Sequence, residues 1–298
     1  MLEKFKKTGK GIRKNVGLYI MFAIPFAWYL IFKYAPMYGI QIAFRRFNPT
    51  LGITGSPWVG LTYFKQFFES YYFTNILWNT ISLSVFTMLI GFPVPILLAL
   101  LINEIKNVKF KKLIQNITYI PNFLSVVVIV SMLTLFSNSD YGLFNKITGL
   151  FGIAPVDFMS KPALFQPLYV FSNVWQFMGF NAIIYIAALS SVDQELYEAA
   201  SIDGATRLQK IIHISIPCIM STIIVLFIMR IGSLMSVGFE KVYLMQNSVT
   251  LSASEVISTF IYKNGIQKGQ FSYSTAVGLF NSVINFVLLV SANFASKK

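Results

Sequence analysis

The sequence predicts an all-α membrane protein with six transmembrane helices, and three observations carry that prediction. Of 298 residues, 55% are hydrophobic and 12% charged, too few polar groups to cover a soluble globule of this size. Roughly six apolar stretches reach the about 20 residues that a helical span requires. Lysine and arginine gather in alternate connections between those stretches.

The spans are expected near 16–34, 76–102, 114–136, 164–190, 212–235 and 273–294. The first follows a basic segment, MLEKFKKTGKGIRKN. Its apolar run is longer than a signal-peptide core and no small-residue cleavage site follows, so it is expected to stay as a helix. Pro25, Pro93, Pro95, Pro121, Gly179 and Pro217 fall within these stretches. Spanning helices tolerate such residues where neighbouring helices or waters satisfy the freed backbone groups. The chain thus reads as one transmembrane domain, 1–298, with a basic N-terminal segment at 1–15 and a distinctive connection at 191–217.

A net charge of +13 would suit nucleic acid, but its placement argues for topology instead. Lys4, Lys6, Lys7, Lys10, Arg13 and Lys14 precede the first span, and Lys106, Lys109, Lys111 and Lys112 follow the second. Arg207 and Lys210 lie in the 191–217 connection, and Lys297 and Lys298 end the chain. Basic residues accumulate on the cytoplasmic side of a membrane, so both termini and the 191–217 connection are expected inside. Some of this charge would meet anionic lipid. One cysteine, Cys218, and one histidine, His213, exclude an internal disulfide framework and leave almost no ligands for a zinc site.

Residues 198–217, EAASIDGATRLQKIIHISIP, are the most distinctive stretch. Ser190 or Ser191 ahead of Asp193 and Gln194 predicts a capped short helix over 193–202. Gly204 suits a helix stop because it takes positive φ without steric cost. Asp203 and Thr206 are placed to cap a second helix, and Leu208, Ile211, Ile212 and Ile216 restart an apolar helical pattern. Ala199 and Ala200 would let a partner helix approach closely, with Glu198 fixing its register. A bare Glu-Ala-Ala triplet also describes any good solvated helix; the full spacing is what raises it above that.

That spacing is Glu198-Ala199-Ala200, three residues, Gly204, nine residues, then Ile214, Ile216 and Pro217. It resembles the cytoplasmic loop of binding-protein-dependent ABC importer permeases, E-A-A, three residues, G, nine residues, I-x-L-P, with Ile216 where the family has Leu. FKYAPMYGIQIAFRRFN at 32–48, GITGSPWVGLTYFKQFF at 52–68, GFPVPILLALLINEI at 91–105 and YIPNFLSVVVIV at 119–130 resemble the polysaccharide-type branch of the carbohydrate uptake permeases. The resemblance implies a type I ABC importer permease fold in a bacterial plasma membrane. It implies pairing with a second homologous permease, two ATPase subunits and an extracellular solute-binding protein that delivers an oligosaccharide. Glu198, Ala199, Ala200, Asp203, Gly204, Ala205 and Pro217 would then couple the chain to the ATPase. The chain has no G-x-x-x-x-G-K-[ST] phosphate loop, so ATP and Mg would belong to that partner and no cofactor to this chain.

Polar residues within spans are costly and mark candidate pathway positions. Asn79 in the second span, Asn173, Trp175, Gln176 and Asn181 in the fourth, and Asn281 and Asn285 in the sixth offer hydrogen bonds and a flat ring to a sugar. Interhelical hydrogen bonding is the plainer reading of the same residues. Arg230 lies about 13 residues beyond Pro217, roughly 20 Å along the helix. Snorkelling to the outer surface accounts for it, as would a pathway role for an acidic sugar. An ion-coupled secondary carrier is the competing transport reading, yet no Asp or Glu falls at the apparent centre of any span. An intramembrane enzyme would need convergent titratable groups, and His213 has no evident partner for such work.

Overall fold

The computed structural model describes residues 15–296, so the basic N-terminal segment up to Lys14, and Lys297 and Lys298, lie outside the described residues. Among the described residues the fold is helical, with two isolated bridges, Arg45 to Trp58 and Asn48 to Gly52, as its only extended pairings. Five helices are long and apolar enough to cross a membrane: α1 (Val16–Phe44), α2 (Phe73–Asn103), α5 (Pro162–Ser190), α7 (Arg207–Gly232) and α10 (Phe271–Ala295). Five of the six expected spans therefore stand where the apolar runs placed them.

The third span corrects the expectation of one helix over 114–136. It is built from α3 (Val108–Phe123) and α4 (Val126–Ser137), bent by 99° at the break between them. Pro121 sits in a 3-10 turn, Leu124 is extended (φ −75°, ψ 136°), and Ser125 caps α4 by accepting from the Val128 amide. The bend does not send the chain back. The Gln176 amide donates to the Leu124 carbonyl at 3.3 Å, while Ile129, Val130 and Leu133 share a core cluster with Phe165, Tyr169 and Val170. Leu124 thus meets α5 at Gln176, while α4 shares its core cluster with the earlier 165–170 stretch of α5, and the pair is counted as one broken span.

Helix α5 is the central post, packing against α2, both halves of the third span and α7. Close approach is achieved with small and hydroxylated residues, as is usual where helix association lacks a strong hydrophobic drive. Ser82, Ser84 and Thr87 of α2 are buried, and Thr80 and Thr87 donate back to the Ile76 and Leu83 carbonyls at 2.7 Å each. The Gln166 amide of α5 reaches across to Ser82 Oγ at 2.8 Å.

The connection between the fifth and sixth expected spans is partly core. Residues 236–272 hold α8 (Phe239–Met245) and α9 (Ile257–Tyr262), and Val242, Val256 and Ile257 are fully buried. Asn79 Nδ2 holds this region to α2, donating to the carbonyls of Ser252 at 2.9 Å and Glu255 at 3.1 Å. Thr80 Oγ1 accepts from the Ile257 amide at 2.9 Å. Asn79→Leu removes the amide donor from the Glu255 carbonyl, while Ser252 O keeps Asn75 Nδ2 at 2.8 Å, a loss of about 1–3 kcal/mol. A lowered thermal midpoint in detergent is the expected result; an unchanged midpoint would show that water replaces the amide.

Candidate functional site

Two regions stand out, and the first is the connection between α5 and α7. Asp193, extended at φ −60° and ψ 128°, caps α6 (Gln194–Ile202) by accepting from the Glu195 amide at 3.0 Å. The expected capping by Ser190 or Ser191 is corrected here. Their hydroxyls instead donate to the Ile186 and Ala188 carbonyls within the end of α5, a common local competitor for serine. At the other end Gly204 adopts φ +77°, its amide donates to Ser201 O, and the Ala205 amide donates to Ala200 O at 2.8 Å. That paired pattern is a Schellman stop. Asp203 closes α6 as its C-cap and does not cap α7. Thr206 and Gln209 form the capping box that starts α7.

The loop is also fastened to the foot of α7. The Tyr197 hydroxyl meets fully buried Ser215 Oγ at 2.9 Å, and Lys210 Nζ donates to Ser201 Oγ at 2.6 Å. Neither of these two contacts is legible in the sequence, because nothing in the spacing of the residues shows that α6 folds back onto α7. A π-helical turn, Ile211–Ser215, precedes Pro217. Widening the turn there accommodates the proline ring, which clashes with the carbonyl four residues back in a regular helix. Glu198 and Ala199 are exposed, Ala200 is half-buried, and Ile202 is 88% exposed at the loop's tip. His213 Nδ1 lies 3.0 Å from the Gln209 carbonyl of its own helix, and Cys218 is exposed.

The second region is a cavity of about 440 Å³ among α2, α5, α7 and the residues just beyond α7. It gathers three of the eight expected pathway residues, Asn173, Asn181 and Arg230, with Tyr169, Ser84 and Ser236. The others stand elsewhere. Asn79 staples α2 to the 236–272 region. Asn285 accepts from the Met235 amide at 2.9 Å and donates to Ser236 Oγ at 3.1 Å, while the carbonyl oxygen of Asn281 is buried without a hydrogen-bond partner. Trp175 packs on the core cluster that contains Tyr169. Gln176 is buried, and its carbonyl oxygen accepts from Lys241 Nζ at 3.2 Å. Lys241, from α8, is a buried cation in a stretch whose composition reads as a loop.

A polar cavity of this size walled by spanning helices suits passage of a solute. With the helix architecture around it, it defines a multi-pass membrane permease, a transport subunit and not an enzyme. Residues 75–298 match the model of the family described as binding-protein-dependent transport system inner membrane component, and the chain belongs to that family. It is 43% identical to protein LplB of Bacillus subtilis (strain 168) over 297 residues, covering 98% of this chain and 93% of that protein. It is 44% identical over 296 residues to the polygalacturonan/rhamnogalacturonan transport system permease protein YteP of the same organism, covering 99% and 92%. Its fold matches a chain of a bacterial ABC transporter involved in the import of the acidic polysaccharide alginate, with TM-score 0.90, 39% identity and 98% coverage of both chains. The fold is therefore that of an ABC importer permease.

Proposed function

We propose that this chain is one of two permease subunits of an ATP-driven importer for oligosaccharides or polysaccharide fragments in a bacterial plasma membrane. It sits with both termini and the 191–217 connection in the cytoplasm. An extracellular binding protein delivers the cargo, and two ATPase subunits, holding the ATP and Mg, act on the connection from below. The roles of YteP and of the alginate importer support the cargo class, and a related complex containing an alginate pentasaccharide-bound periplasmic protein supports the delivery step.

The observation that carries the coupling role is the double fastening of α6 to α7. A short helix stopped by Gly204 and tied back through Tyr197 to Ser215 and through Ser201 to Lys210 moves as one body with α7. Because α7 walls the cavity through Leu226 and Arg230, a push on α6 becomes a movement of the pathway's wall. Exposed Glu198, Ala199 and Ile202 form the face available to the ATPase.

The test is reconstitution of the chain with its partner permease, ATPase and binding protein, followed by a screen of oligosaccharides for stimulation of ATP hydrolysis. Glu198→Lys is expected to abolish stimulated hydrolysis and uptake at unchanged abundance in the membrane, since it reverses a charge on the contact face. Wild-type coupling in that variant removes Glu198 from the contact, and stimulation by peptides but by no sugar overturns the cargo class.

A further inference from the structure

The cavity carries positive charge with nothing to balance it. Arg230 lines it, and among the described residues neither a lining carboxylate nor an ion pair accompanies that guanidinium. Behind the wall stands Lys241, only 4% exposed, its ammonium bonded to Gln176 Oε1 at 3.2 Å and 5.9 Å from the centre of the Tyr169 ring. Tyr169 joins the two cations. Its ring lies beneath Lys241, and it lines the cavity together with Arg230.

A helix C-terminus favours a cation, which would suffice for Arg230 alone, two residues from the end of α7. It does not suffice for Lys241. Gln176 is the fifteenth residue of the 29-residue α5, so Lys241 reaches the middle of a spanning helix, where an ammonium cannot snorkel to water. Burying an ammonium with a single neutral acceptor and no counter-ion is expensive. A neutral sugar gains nothing from it, because its hydroxyls are served by Asn173, Asn181 and the cavity's serines. An anion entering the cavity recovers the cost.

We propose that Arg230, backed by Lys241, makes the permease itself select cargo bearing carboxylates, such as oligosaccharides containing uronic acids. Arg230 meets a carboxylate directly and offers a paired donor geometry. Lys241 acts from behind the Tyr169 and Gln176 wall as a fixed positive potential. The inference rests on the oligosaccharide importer reading and adds a second charge filter, located after the binding protein.

Equilibrium dialysis without the binding protein isolates that filter. Radiolabelled trigalacturonate, alginate trisaccharide and their carboxyl-reduced neutral counterparts are dialysed against the solubilised assembly of both permeases and both ATPases. Wild type is expected to bind at least one acidic trisaccharide about tenfold or more tighter than its neutral counterpart, the loss typical of an unmatched buried charge. Arg230→Gln should erase the preference, Arg230→Lys should keep most of it, and Lys241→Met should reduce it several-fold. Equal affinity for acidic and neutral sugars in wild type, or a preference untouched by Arg230→Gln, overturns the inference and leaves the importer reading standing. Failure of every trisaccharide to bind, together with no oligosaccharide-stimulated ATP hydrolysis, overturns both.

Discussion

Replacing Gly204 with valine is expected to stop ATP-driven uptake while the subunit remains in the membrane at normal abundance. A Cβ at this position meets nothing within 4 Å, so the effect does not come from a clash. It comes from the backbone, held at φ +77°, where a β-branched residue is strained by about 1–3 kcal/mol. Relieving that strain unwinds the Schellman stop, releasing the Gly204 and Ala205 amides from Ser201 and Ala200. Helix α6 then loses its fixed angle to α7 although Tyr197 and Ser215 still restrain one point of it. Asparagine visits this backbone region at little cost, so Gly204→Asn should keep most of the uptake. Measured uptake and stimulated hydrolysis decide the matter: wild-type rates in the valine variant would falsify a rigid coupling loop, and equal losses in both variants would point to the missing glycine surface.

Gly179→Ala is expected to have the largest effect on stability. A Cβ there would lie 2.1 Å from the Thr118 carbonyl oxygen and 2.4 Å from its carbon. These are backbone atoms of α3 and cannot rotate aside, so the crossing of α5 over the third span must open. Overpacking of this kind costs about 3 kcal/mol at the upper end of its range. Gln176, one turn away, would lose registry with both Leu124 and Lys241. The matched control is Gly91→Ala, whose Cβ meets only Val174 Cγ2 at an ordinary 3.6 Å. In detergent the Gly179 variant should show a clearly lower unfolding midpoint and the Gly91 variant almost none; similar midpoints for the two would mean that the α3–α5 crossing is loose.

Five spans were legible because each is a continuous apolar run, and composition is all that such a helix needs in order to be read. The broken third span was not, since proline alone does not announce a break. Pro25 and Pro167 lie inside continuous helices, whereas the break after Pro121 depends on Leu124 turning extended and Ser125 capping a new helix. Gly204 was legible from local chemistry, as positive φ is a property of one residue. Tyr197 and Ser215 were not, because their meeting depends on α6 folding back over a turn. Lys241 was hidden for a related reason. The run FEKVYLM places two charges side by side and looks solvated, and only the packing of α8 against α5 shows that one of them is buried.

Helix α1 buries no residue between Val16 and Tyr34, and its C-terminal portion, Ala35–Phe44, is what packs against α10. It also precedes the region, 75–298, that matches the family model. In a membrane, insertion of a helix and its docking to neighbours are separate contributions to free energy. Over most of its length α1 gains almost none of the second from its own subunit. A π-helical turn at Leu30–Tyr34 and a 3-10 stretch from Ala35 join it to the portion that packs. The helix is therefore an outrigger over most of its length, joined to the body of its own subunit through the Ala35–Phe44 stretch that lies on α10.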